Sequence, residues 1–175
     1  MRIDYIDPFV ESTRSVLSEI AHLEIKNGAP SLRQSPMPTK DNVAIIGIAG
    51  DMEGRIILEM DDRTALAFAG VMNDMSFEEL TPIVIDSLSE LTNMMIGNAV
   101  SRLNDMGFNF AITPPTFIKG KELLSSTPQV EALIVPLDTG YGEVILNIAI
   151  KYNIMPAGVT IDMLLRGLED ARKAI

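Results

Sequence analysis

A chain of 175 residues, 47% of them hydrophobic and 22% charged, has the composition of one folded domain that can bury a core without disulfide or metal staples. It has no cysteine and a single histidine, His22, which excludes thiolate zinc sites, cysteine nucleophiles and multi-histidine metal centres. A formal net charge of −10 and the lack of a basic stripe argue against nucleic acid and against anionic membrane surfaces as partners.

The opening Met-Arg-Ile-Asp-Tyr lacks the blocks of a secretion signal, and no apolar run is long enough to span a bilayer. The expected location is therefore the cytoplasm. The first predicted element is a helix from about Pro8 to Leu23. Asp7 is its expected cap, Pro8 suits its first turn, and Phe9, Val10, Val16, Leu17, Ile20 and Leu23 recur at helical spacing. His22 is expected at the surface or boundary of this helix. Residues Asn27 to Asp41 are rich in Pro, Ser and Gly and read as a loop or irregular edge strand.

Val43 to Ala49 and Gly54 to Met60 are apolar runs joined by turn residues, the pattern of a β-hairpin. Asp61 or Asp62 can cap a short helix over Arg63 to Met72. A longer helix is predicted from Thr81 to Asn104, followed by a strand over Phe108 to Thr113 and a second short strand over Thr116 to Lys119. Gly120 to Gln129 reads as loop. Val130 to Leu137 and Glu143 to Tyr152 form a second hairpin through Asp138-Thr139-Gly140-Tyr141-Gly142. Hairpins dominate, so the expected class is α+β: a mainly antiparallel sheet with long helices on one face. Residues 1–155 are read as one domain, and 156–175 as a C-terminal helical extension with Ile161, Leu164, Leu165 and Leu168 on one side.

The informative segment lies in the long helix. At about 100° per residue, Val84, Leu88, Leu91, Met95 and Ala99 gather on one side, the expected core face. Asp86, Glu90, Asn93 and Gly97 gather opposite, within roughly 60° of one another. Gly in a helix interior costs about 1 kcal/mol relative to Ala, and Asn is also a weak helix former. Gly97 further removes a side chain next to Asn93, so another molecule can approach closely. Spacing alone leaves two readings open, a functional face and a plain solvated one.

Neighbouring segments add to this. Val43-Ala44-Ile45-Ile46-Gly47-Ile48-Ala49-Gly50 with Glu53-Gly54, then Thr64-Ala65-Leu66-Ala67, then Asp86-x3-Glu90-x2-Asn93 with Gly97, then Ile112-Thr113-Pro114-Pro115-Thr116 with Gly120 resemble the CheX branch of the CheC-type chemotaxis phosphatases. The resemblance covers most of the chain from the first helix to Tyr152. It implies a CheC-like fold, a homodimer, and as substrate the phosphorylated aspartate of a CheY-like receiver domain. It assigns the family's paired acid and amide to Glu90 and Asn93 and places Asp86 and Gly97 on the partner-binding face. No metal or cofactor is expected in this chain; Mg²⁺ is expected on the partner receiver. CheC-like relatives carry a second motif in the first helix. Here that helix reads Asp7-x3-Glu11-x2-Arg14, with Arg where an amide belongs, so one site per subunit is expected.

Two rivals stand beside this reading. The first is a non-catalytic CheC-like adaptor for a receiver domain or a flagellar switch component. The second is a small-molecule site built from Asp51, Glu53, Thr113 and Tyr141, whose spacing supports no particular reaction.

Overall fold

Helix α1 (Asp7–Ala21) buries Phe9, Val16 and Leu17 and ends at His22, an exposed residue in the left-handed region. The computed structural model describes residues 6–34, 37–126 and 131–152. The expected cap is corrected here. Ile6 occupies the cap position without a side-chain hydrogen bond, and Asp7 is the first helical residue. Pro8 inside the first turn has no N–H to be capped, which lowers the demand for a capping side chain there.

Between α1 and the first long strand run three short strands: β1 (Lys26–Asn27), β2 (Ser31–Arg33) and β3 (Met37–Pro38). The hairpin follows as β4 (Asn42–Gly50) and β5 (Met52–Met60). Its strands are longer and its turn tighter than the run of turn residues suggests. Gly54 belongs inside β5 with φ +141°, where a Cβ would come within 2.1 Å of the Ala149 carbonyl oxygen. It is a site of close backbone approach, which only glycine permits. Helix α2 (Asp62–Asn73) is capped by Asp61, whose carboxylate accepts from the Thr64 N–H at 2.8 Å.

Helix α3 (Pro82–Asp105) is followed by β6 (Phe110–Ile112), β7 (Thr116–Lys119), β8 (Leu124–Ser125), β9 (Ala132–Asp138) and β10 (Glu143–Tyr152). The main sheet has the order β1-β9-β10-β5-β4-β6, with β2 also on β9 and β7 also on β4. Each described pairing is antiparallel. The segment read as loop after Gly120 contains β8, which pairs with β3 across the far side of the sheet. Two-residue strands carry no periodicity, so composition could not reveal them.

The three helices lie on one face of the sheet. Period-2 alternation puts Ile46 and Ile48, Ile56 and Leu58, and Leu146 and Ile148 under them, in one core with Phe9, Phe68, Leu91 and Met95. A smaller cluster of Met37, Ala132, Ile134 and Ala149 occupies the other face. Each large side chain buried this way contributes roughly 1.5–3 kcal/mol, which makes α3 a rigid support for its outer surface. Residues 156–175, read above as a helical extension, lie outside the described residues.

Candidate functional site

Helix α3 begins where Thr81 accepts from the Val84 N–H at 3.5 Å, with Pro82 in its first turn. Its 24 residues extend over about 36 Å. Val84, Leu88, Leu91, Met95 and Ala99 are all at or below 1% exposure, as the helical wheel predicts. Helix α1 packs along one flank of α3, and α2 along another. Asn73 at the end of α2 donates to Ser87 Oγ at 2.7 Å, and Ser87 donates back to the Ile83 carbonyl at 2.8 Å. The turns of α3 that precede the motif are therefore clamped.

On the remaining side, Asp86, Glu90 and Asn93 are exposed. Glu90 and Asn93 are separated by about 4.5 Å along the axis, and Asp86 lies one turn before Glu90. A Cβ built on Gly97 would meet no heavy atom within 4 Å, so the missing side chain leaves open space next to Asn93. No ion pair among the described residues engages Asp86 or Glu90. A carboxylate and a carboxamide thus project side by side from a rigid helix, with one flank cleared. An amide both donates and accepts, so it can hold a water in a fixed orientation; a free carboxylate suits an ammonium partner.

The matching segment of α1 is arranged differently. Arg14 Nη2 is paired with Glu11 Oε2 at 2.5 Å, and both side chains are close to half exposed. The residue that replaces the amide neutralises the acid three positions earlier.

The four residues of the small-molecule reading are not brought together. Asp51 accepts from the Asn109 N–H at 2.9 Å, Glu53 pairs with Lys151, and Thr113 Oγ1 accepts from the Gly47 N–H at 2.9 Å. Tyr141 packs edge-on against Phe68 at 5.6 Å and donates to the Ala21 carbonyl. Each is accounted for by its local role in the fold. Tyr141 lines a cavity of about 600 Å³ at the end of α2, and the other three residues do not. Among the described residues, no group of three or more His, Cys, Asp or Glu is placed to hold a metal ion. No described helix is long and apolar enough to cross a membrane.

Sequence patterning missed two features. The first is Glu59, 3% exposed, on the sheet face away from the helices. Burial raises its pKa above the ordinary value, partly offset by the Lys40 N–H and the Asn147 amide. An acid that directly follows the apolar run Ile56-Ile57-Leu58 inside a strand is the signal that marks it. The second is the charge around the α3 motif: residues 64–101 contain no Lys or Arg, between Arg63 and Arg102.

Comparison with known proteins places these features in a family. Residues 42–138 match the family model of the chemotaxis phosphatase CheX. The CheY-P phosphatase CheX of Thermotoga maritima is 29% identical over 119 residues, covering 67% of this chain and 77% of that protein. A CheC-like superfamily protein from a Shewanella species superposes with a TM-score of 0.79 at 28% identity, over 86% of this chain and 99% of the other. The CheX of a CheX–CheY–BeF₃–Mg²⁺ complex from Borrelia burgdorferi superposes with a TM-score of 0.74 at 38% identity, over 86% and 99% of the two chains.

Proposed function

Because the chain belongs to the CheX family of chemotaxis phosphatases, we propose that it accelerates hydrolysis of the aspartyl phosphate on a CheY-like receiver domain, with Glu90 and Asn93 as the working pair. The relative from Thermotoga is named for this activity, and the Borrelia relative was solved with CheY, BeF₃ and Mg²⁺. The observation that carries the assignment to these two residues is their joint exposure on α3 beside the open space at Gly97.

An acyl phosphate is already activated. Its hydrolysis needs a water in line behind phosphorus and charge stabilisation on the equatorial oxygens. In this reading the receiver supplies the second through its own lysine and Mg²⁺. This chain supplies position. Asn93 enters beside the phosphoryl group, accepts a hydrogen bond from the attacking water, and restricts it to the in-line direction. The water adds its oxygen to phosphorus, the bond to the aspartyl oxygen breaks, and inorganic phosphate leaves with the aspartate carboxylate restored. Glu90 pairs with a receiver lysine next to the phosphorylation site and sets the docking register. Asp86 extends that contact by one turn, and Gly97 lets the receiver backbone close on the helix. A general base has little to do, since a loose transition state requires little deprotonation of the water. We place the protein in the cytoplasm, where receiver domains operate, and as a homodimer with one active helix per subunit.

The test is phosphate release from acetyl-phosphate-charged receivers of the same organism, with and without the protein. Acceleration that disappears in Asn93→Ala supports the reading. Binding without acceleration by the wild-type chain would move it to the adaptor class.

A further inference from the structure

The exposed stripe of α3 is not purely polar. Ile83, 51% exposed, lies on it with Asp86, Glu90, Asn93 and Gly97, all five within about 80° of rotation. It precedes Glu90 by about 10 Å along the axis and Asn93 by about 15 Å. A stable protein interface covers about 800 Å² per partner, a disc of roughly 16 Å radius. A receiver centred on Asn93 therefore reaches Ile83 at its margin, and one that also engages Asp86 covers it fully.

The surroundings favour a cationic visitor. Asp74, Glu78, Glu79, Asp86 and Glu90 are all exposed, and no described ion pair involves any of them. The segment from 64 to 101 contains these acids and no Lys or Arg, so it contributes only negative charge to this end of the helix layer. The backbone under Ile83 is held by the Asn73–Ser87 clamp, so little ordering is needed to present the side chain. The opposite end of α3 supplies an internal contrast. Met106 is 52% exposed, yet it lies about 20 Å beyond Asn93 and close to exposed Arg102.

We propose that Ile83 is an apolar anchor for receiver docking, and that the receiver face it meets carries an aliphatic or aromatic side chain flanked by lysines. This inference rests on the reading of α3 as the receiver-binding helix. It makes Ile83 a positioning residue, with no contact to the reacting atoms. The apolar contact fixes how far along α3 the receiver sits, and the acids around it speed encounter.

The experiment follows phosphate release against receiver concentration for wild type, Ile83→Ala, Ile83→Leu and Met106→Ala, with parallel titrations against the BeF₃⁻-activated receiver. Ile83→Ala is expected to raise KM and Kd about fivefold with kcat within about twofold, the size of a modest hot spot. Ile83→Leu is expected to restore both, and Met106→Ala to leave both within about twofold. Raising ionic strength is expected to weaken binding by wild type and Ile83→Ala in parallel. A Kd for Ile83→Ala within twofold of wild type overturns the inference, as does an equal loss from Met106→Ala. If the wild-type chain accelerates nothing, the phosphatase reading fails, and the titrations still decide the role of Ile83.

Discussion

Helices α1 and α3 pack side by side on the same sheet, and each carries an acid, a second acid four residues on, and a third polar residue three further. In α3 that third residue is Asn93; in α1 it is Arg14. That residue is the first difference between the two surfaces. A guanidinium reaches back one turn and occupies the acid, as Arg14 does with Glu11. A carboxamide is too short and uncharged to do so, and leaves the acid available. The position after the motif differs as well. Gly97 leaves open space, whereas the corresponding Ser18 is filled and donates to the Leu23 carbonyl at 2.7 Å. Spacing places side chains on a face, and the residue types decide whether that face can receive a partner.

This contrast can be broken at several points. The largest effect is expected at Asn93. Asn93→Ala should lower kcat by about 100-fold or more, the scale lost when a reacting group is no longer positioned, with Kd for the activated receiver little changed. Turnover near wild type would put the two helices on an equal footing. Glu90→Ala should cost about tenfold in kcat/KM, mostly through KM, and should flatten its dependence on ionic strength. A kcat loss at saturating receiver would instead give Glu90 a chemical role.

Gly97→Leu separates function from stability. Activity should fall about tenfold, because a branched side chain fills the approach to Asn93. The melting midpoint should rise, since replacing an interior helical Gly by a good helix former stabilises by roughly 0.5–1 kcal/mol. A drop in both would mean the position is a packing site. At the small end, Glu11→Ala should change phosphatase activity less than twofold and leave the melting midpoint nearly unchanged, as expected for an exposed pair screened by water. A clear loss of activity would revive α1 as a second site.

Glu59 gives a third arrangement of an acid: buried and neither free nor ion-paired. Burial raises its pKa in the folded state, so ionisation opposes folding. Its penalty is absent below the ordinary carboxylate range and grows as pH rises through the elevated folded value. Glu59→Gln keeps an acceptor for the Lys40 N–H and removes the charge. Its melting midpoint should exceed wild type by an amount that increases from pH 4 to pH 8. A difference independent of pH would show that Glu59 is neutralised by a partner instead.

Much of this architecture was legible beforehand, and the reasons are physical. The hairpin strands β4, β5 and β10 are apolar runs bounded by turn residues, and the core face of α3 was readable from the 100° rotation alone. Asp61 as the cap of α2 was one of two equivalent candidates, resolved only by the bond to Thr64. The pairing of β3 with β8 joins two-residue strands far apart in the chain, Met37 with Ser125 and Pro38 with Leu124, beyond any local signal. Ile83 belongs to neither group named on the wheel, the apolar core face or the polar motif, although its angle places it within about 20° of Glu90. The absence of Lys and Arg across 64–101 is visible in the chain itself, and it acquires meaning only once Asp74, Glu78, Glu79, Asp86 and Glu90 are all seen to be exposed.

The most direct measurement is single-turnover decay of a phosphorylated receiver at saturating protein, comparing wild type, Asn93→Ala and Arg14→Ala. Decay is expected to be fast with wild type and Arg14→Ala and to return to the receiver's own rate with Asn93→Ala while the complex still forms. Fast decay with bound Asn93→Ala would contradict the account, because the outward carboxamide of α3 would then not be what places the water.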